Sequence, residues 1–102
     1  MRLNQEQINT LIHAARTYFG DTAQIWLFGS RIDDTKTGGD IDLYIETDLA
    51  SGTVAAKIEM LCSLWSMFGE QKIDLLVRKR SQKSSAMHEI AKSSGKELLY
   101  QK

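Results

Sequence analysis

Residues 25–46, IWLFGSRIDDTKTGGDIDLYIE, decide how the rest of the chain is read. An apolar run ends in Gly29-Ser30-Arg31, a polar loop follows, and a second run carries Asp40 and Asp42. Side chains alternate along a strand, so Asp40, Asp42, Tyr44 and Glu46 share one face while Ile41, Leu43 and Ile45 share the other. The two aspartates then stand about 7 Å apart at Cα. Burying neighbouring unpaired carboxylates is costly or forces protonation, so this face has to meet a cation or water.

Upstream, Gln24 to Phe28 is apolar on both faces, as in a central strand. Gly29 then permits close backbone approach, and amides at Ser30-Arg31 opening a helical turn would suit an anion such as phosphate. A glycine-serine pair alone is ordinary turn punctuation. Followed by paired carboxylates, it describes a phosphate cradle beside a metal site, which together belong to nucleotide chemistry. The loop 32–39 is too polar to pack, and Gly38-Gly39 reads as the turn into the second strand.

A third strand is expected over 72–77, with Ile73, Leu75 and Val77 on one side and Asp74 on the other, facing Asp40 and Asp42. Three helices complete the chain. Asn4 with Gln7 forms a capping box, with Leu3 placed to staple onto Ile8, and Ile8, Leu11, Ile12, Ala15 and Phe19 make an apolar stripe that Gly20 stops. His13 lies off the stripe with no second ligand at metal spacing, as an exposed helical histidine would. Val54, Ile58, Leu61, Trp65 and Phe68 repeat at helical intervals to Gly69, a stripe facing core or partner that Met60, Leu64 and Met67 widen. Cys62 within that pattern reads as a buried small hydrophobe. Ser84 or Ser85 can cap a last helix containing Met87, Ile90 and Ala91 that ends at Gly95, before a short edge strand over 97–100.

The whole chain bounds these readings. Its 102 residues make one domain, residues 1–102, with room for a core but not for a second substrate-binding domain. A single cysteine excludes an internal disulfide and any cysteine-based zinc cluster. The formal net charge of zero removes the basic footprint of a dedicated nucleic-acid binder. Charge is nevertheless uneven: residues 1–51 hold four Lys/Arg and eight Asp/Glu, and residues 52–102 hold nine and five. The run Arg78-Lys79-Arg80 with Lys83 is either a solvated basic loop or an attraction for ATP or an acidic surface. No apolar run approaches membrane-spanning length and the start lacks a signal peptide's apolar core, so a cytoplasmic location is expected.

Gly29-Ser30, nine intervening residues and Asp40-Ile41-Asp42-Leu43, with Asp74 in Lys72-Ile73-Asp74-Leu75-Leu76-Val77, resemble the signature of the DNA-polymerase-β-like nucleotidyltransferase superfamily. The small size resembles its minimal nucleotidyltransferase (MNT) branch, the antitoxins of HEPN/MNT toxin-antitoxin pairs. One departure is that Ile32-Asp33-Asp34 follows Gly-Ser-Arg, where many minimal members place a small residue and a glycine; this bears on how the outer phosphates are bound.

The resemblance implies an α/β (α+β) fold, a two-layer nucleotidyltransferase palm whose mixed sheet of three to five strands packs helices on one face and leaves an open acidic face. It implies Mg2+ as cofactor, two ions held by Asp40, Asp42 and Asp74, and ATP as substrate, its phosphates gripped at Gly29, Ser30 and Arg31. Asp74 would also orient or deprotonate the acceptor hydroxyl. The implied activity is transfer of AMP to a tyrosine hydroxyl of a partner HEPN ribonuclease toxin, with a hetero-oligomer as its setting. The alternatives are an antitoxin that neutralises by contact alone and nucleotidyl transfer to a small-molecule hydroxyl. Polymerisation of DNA or RNA is disfavoured by size and by the neutral charge.

Overall fold

A computed structural model describes residues 4–28, 41–69 and 72–99. The elements run α1 (Gln5–Phe19), β1 (Gln24–Phe28), β2 (Ile41–Thr47), α2 (Thr53–Phe68), β3 (Ile73–Lys79), α3 (Ala86–Ser94) and β4 (Lys96–Glu97). The strands form one mixed sheet in the order β3-β2-β1-β4. β1 pairs antiparallel with β2 and β4, and β2 pairs parallel with β3. The parallel pair needs a crossover, which α2 supplies.

Local chemistry sets the helix ends. Asn4 accepts from the Gln7 amide at 2.8 Å while the Gln7 side chain accepts from the Asn4 amide at 2.9 Å, the expected capping box. The Leu3 staple lies outside the described residues. Ser85 caps α3 in the same way, with His88 as the reciprocating residue. α2 starts without a side-chain cap, from Gly52 at φ 76°. Helices α1 and α2 end at Gly20 and Gly69, at φ 104° and 78°, a region glycine enters without a Cβ clash.

One sheet face carries Ile25, Leu27, Ile41, Leu43, Ile45, Ile73 and Leu75, all buried in a core with Leu11, Ile12, Ala15 and Phe19 of α1 and Ala56, Met60 and Leu64 of α2. Thr47 closes this layer. Its hydroxyl donates to the Phe19 carbonyl at 2.6 Å and accepts from the Leu49 amide at 3.0 Å, tying the end of α1 to the end of β2.

Helix α2 turns a different side inward from its largest apolar residues. Val54, Ile58, Trp65 and Met67 are exposed, Leu61 and Phe68 are half-buried, and Ala56, Met60 and Leu64 fill the core. Cys62 is exposed rather than buried, because it shares the outward side with Ile58. The helix is apolar nearly all round, so its periodicity does not choose between two apolar rows; the small Ala56 lets α2 sit close to the sheet. Leu64→Ala should therefore cost about 2–5 kcal/mol in urea denaturation. Ile58→Ser should fall within about 0.5 kcal/mol of wild type, and the reverse ranking would contradict this orientation.

The expected mixed α/β sheet is present, with one addition. Helix α3 lies on the opposite, acid-bearing face, where Trp26, Tyr44 and Ala91 form a second cluster with Phe28 and Leu76 against it. That face is therefore only partly open. The last strand is also shorter and earlier than expected, Lys96–Glu97, with Trp26 paired to Glu97 and Leu27 to Lys96. Gly95 makes this return possible: a Cβ there would stand 2.9 Å from the Leu27 carbonyl oxygen and collide with that of Ala91. Gly95→Ala should destabilise the chain by about 1–3 kcal/mol, read as a lower urea midpoint at unchanged m.

Candidate functional site

At one end of the sheet β1 finishes at Phe28 while β2 and β3 begin, because β1 is antiparallel to β2 and β3 is parallel to it. Phe28 is opposite Asp42, and Asp42 is opposite Asp74. Neighbouring strands are about 4.8 Å apart, so the two carboxylates stand side by side on one face. Asp74 is exposed and Asp42 half-buried. Like charges directly opposite in a ladder repel, and a cation shared between them would relieve that repulsion.

Asp40, Gly29, Ser30 and Arg31 lie outside the described residues. In the chain, Gly29 directly follows Phe28 and Asp40 directly precedes Ile41. Oxygen donors from two carboxylates, with no imidazole or thiolate beside them, suit a hard divalent ion such as Mg2+. Among the described residues no group of three or more His, Cys, Asp or Glu side chains could hold an ion. A third protein donor would have to come from outside them, where the sequence places Asp40.

A cleft of about 380 Å³ opens beside Asp74. Among the described residues it is lined by Phe28, Ile73, Asp74, Leu75 and Leu76 of the sheet and by Lys57 and Leu61 of α2. Neither Phe28 nor Lys57 stands out in the sequence as a site residue. Phe28 could have been noticed as the last strand residue before Gly29; Lys57 could not, because its position depends on the outward turn of α2.

Further along the same face, Glu46 is 4% exposed and fully engaged. Its Oε2 accepts from the Tyr44 hydroxyl at 2.8 Å, and Arg78 Nη1 and Lys92 Nζ stand 3.3 and 3.2 Å from it. Burial works to raise the Glu46 pKa, but the Tyr44 hydrogen bond together with Lys92 and Arg78 outweighs it, and the carboxyl is held below its usual range. Burial first, then the hydrogen bond and charge of Glu46, pushes the Tyr44 phenol up to about 12. His88 stacks on Tyr44 with ring centroids 5.7 Å apart, and Lys92 lies 5.2 Å over the Trp26 ring. This cluster fastens α3 to the sheet.

The two arginines of the basic run are occupied by the fold. Arg78 pairs with Glu46, and Arg80 pairs with Asp48 at 2.9 Å while donating to the Thr22 carbonyl at 2.9 Å and to Gln24 Oε1 at 2.8 Å. Thr22 also donates to Asp48, at 2.6 Å. The Thr22 hydrogen bond and then Arg80 hold the exposed Asp48 carboxyl below its usual pKa. His13 is exposed, as its place off the α1 stripe implies.

No family model matches the sequence, and no curated protein matches it. Solved structures do. A chain of the toxin-antitoxin MntA-HpeT complex, in a mutant form with two aspartates two positions apart changed to glutamate, superposes with a TM-score of 0.70 at 21% identity, over 97% of this chain and 75% of that one. A protein from Shewanella oneidensis superposes with a TM-score of 0.61 at 17% identity, over 96% of this chain and 74% of that one. Both share the fold. At these identities the likeness speaks for the arrangement of helices and strands, so the chemistry has to be argued from the residues described above. Among the described residues no helix is long and apolar enough to cross a membrane.

Proposed function

We propose that this chain is the antitoxin of a toxin-antitoxin pair and acts as a Mg2+-dependent nucleotidyltransferase, moving AMP from ATP to a tyrosine hydroxyl of a HEPN-type ribonuclease toxin. The observation that carries the reading is the register pairing of Asp42 with Asp74 on one face. It is supported by the fold shared with the toxin-antitoxin MntA-HpeT complex, in which aspartates at the same two-residue spacing were the ones changed.

The chemistry divides among the residues as follows. Bound magnesium would supply Lewis-acid stabilisation of the charge on the transferring phosphoryl group. Asp40, Asp42 and Asp74 would hold it, and Asp74 would also orient the acceptor hydroxyl and accept its proton. The hydroxyl oxygen forms the bond to the α-phosphorus, the bond from that phosphorus to the β-phosphate's bridging oxygen breaks, and pyrophosphate leaves with the electron pair. Ser30 and the backbone amides of 29–31 would receive the outgoing phosphates. AMP on the toxin adds a bulky anion where RNA would have to bind, and repels it.

The test is incubation with labelled ATP, magnesium and the product of the adjacent gene. Label on that protein is expected. Absence of label, or equal labelling by a folded Asp40→Asn, Asp42→Asn variant, would refute the mechanism. A contact-only antitoxin is the second reading, favoured by the exposed row Val54, Ile58 and Trp65 on α2. It requires the same double variant to neutralise the toxin fully.

A further inference from the structure

Among the described residues β3 is the one long strand with an open side; the other edge, β4, is two residues long. The Ile41 amide donates to the Lys72 carbonyl at 2.8 Å at one end of the β2 and β3 pair, and the Arg80 amide to the Thr47 carbonyl at 2.9 Å at the other. Backbone groups alternate in direction along a strand, so Asp74, Leu76 and Arg78 turn theirs toward β2. Ile73, Leu75 and Val77 turn theirs outward, where no described strand meets them. Edges of this kind are ordinarily blunted by shortness, proline or a bulge. β3 runs seven residues, the chain has no proline, and the register from Ile73 to Lys79 is unbroken. The cleft of about 380 Å³ follows the same edge, since Ile73 and Leu75 line it from the core face and Asp74 and Leu76 from the other. Such an edge is a template for another strand.

We propose that a second copy of this chain pairs on it, β3 against β3, antiparallel about a two-fold axis at Leu76. The charge pattern of the strand argues for this occupant. Leu76 is the middle residue of Ile73–Lys79, so full overlap of the two strands sets Leu76 opposite Leu76, Leu75 opposite Val77, Asp74 opposite Arg78 and Ile73 opposite Lys79. The outward-turned residues then face one another, as the ladder hydrogen bonds require. The axis repeats the Asp74 and Arg78 pair, and no like charges stand opposite within the strands. Sliding the strands by two residues sets Lys72 opposite Arg78 in one direction; in the other it sets Asp74 opposite Arg80, which Asp48 already occupies. Charge pairs of this kind fix the register more than they add affinity. On the core face, Val77 of the second copy enters the cleft beside Leu75 and Leu61. A carboxylate has two oxygens and a guanidinium five N–H groups, so Asp74 keeps an oxygen for an ion and Arg78 stays beside Glu46. The dimer therefore stands or falls separately from nucleotidyl transfer.

The experiment uses the full chain from micromolar to millimolar concentration. Sedimentation velocity should show a monomer-dimer equilibrium, and amide exchange at Ile73, Leu75 and Val77 should slow by at least about tenfold as the dimer fills, with exchange in α1 unchanged. In a Cys62→Ser background, Leu76→Cys should oxidise to a linked dimer, because opposite residues at such a position are about 4.5 Å apart at Cα, within disulfide range. Lys79→Cys, which the same register places about 20 Å from its counterpart, should not. Leu76→Lys, which sets like charges face to face at the axis, should stay monomeric over the same range. A wild-type chain that is monomeric throughout, equal linking at Lys79→Cys and Leu76→Cys, or a dimer in which the three edge amides exchange as fast as in the monomer would overturn the assignment. The exchange measurement needs no substitution, so it decides the matter even where a Leu76 variant fails to fold.

Discussion

Asp42→Asn combined with Asp74→Asn should lower AMP transfer to the partner by at least about a thousandfold, and the chain should remain folded. The size follows from losing charge stabilisation worth several kcal/mol in the transition state, at about 1.4 kcal/mol per tenfold in rate. Stability should be read separately from activity. Asp42 and Asp74 are opposite one another in a parallel ladder, and like charges so placed repel by up to about 1 kcal/mol. Asp74 is exposed, so Asp74→Asn alone should raise the metal-free melting temperature, by up to about 4–8 °C in a domain of this size. Magnesium should raise the melting temperature of wild type and have less effect on the variant, because an ion that binds only the folded state stabilises it by mass action. Calorimetry with and without magnesium, beside a transfer assay with labelled ATP, reads both effects. An Asp74→Asn variant that loses activity and melting temperature together would mean that this exposed aspartate holds the fold rather than the chemistry. A fully active variant would end the enzymatic account.

Much of this arrangement is legible in the sequence, and what is not has specific physical causes. Strand alternation alone puts Asp42 and Asp74 on one face, and the capping signals at Asn4 and Ser85 fix where two helices begin. Helix α2 defeats the same reasoning. Its apolar residues occupy two rows, and the choice between them is made by fit against β3 and α1 rather than by any pattern along the helix. The misplacement of Cys62 and the invisibility of Lys57 both follow from that one ambiguity. The third helix is a different case. Its sequence shows a capped amphipathic segment, but the face it covers depends on Tyr44 and Trp26 offering an aromatic surface, and on Glu46 finding partners 32 and 46 residues away. Ion pairs between residues so far apart leave no local signal. The arginines of the basic run could be read only as free charge until Glu46 and Asp48 were seen beside them.

Glu46→Ala should be the most destabilising single change outside the apolar core, costing about 3–5 kcal/mol. The carboxylate accepts from a buried phenol and faces two cations, so its removal leaves the Tyr44 hydroxyl without an acceptor and Arg78 uncompensated at a half-buried position. Lys92, which is partly exposed, can turn to water and contributes less. A native chain that tolerated Glu46→Ala with a change under about 1 kcal/mol in urea denaturation would show that α3 is held by its apolar contacts alone.

The same residue gives the pH dependence its sign. Because the folded Glu46 pKa is below its ordinary value of 4.5, the folded state holds the carboxylate more strongly than the unfolded state does. Its contribution is full above pH 4.5 and is lost as pH falls through the folded pKa. Tyr44 acts at the other end. Its pKa rises from 10.0 to about 12, so the unfolded state gives up this proton first, and the contribution present below pH 10 is lost as pH climbs toward 12. Wild type should therefore lose stability on both flanks. Tyr44→Phe should flatten the alkaline flank, and Glu46→Gln should flatten the acid one. Since α3 covers the same sheet face that displays Asp42 and Asp74, loosening it in Glu46→Gln should also increase amide exchange at Phe28, which packs against the α3 cluster. Unchanged exchange there would mean that the fastening of α3 and the carboxylate end of the sheet are energetically separate.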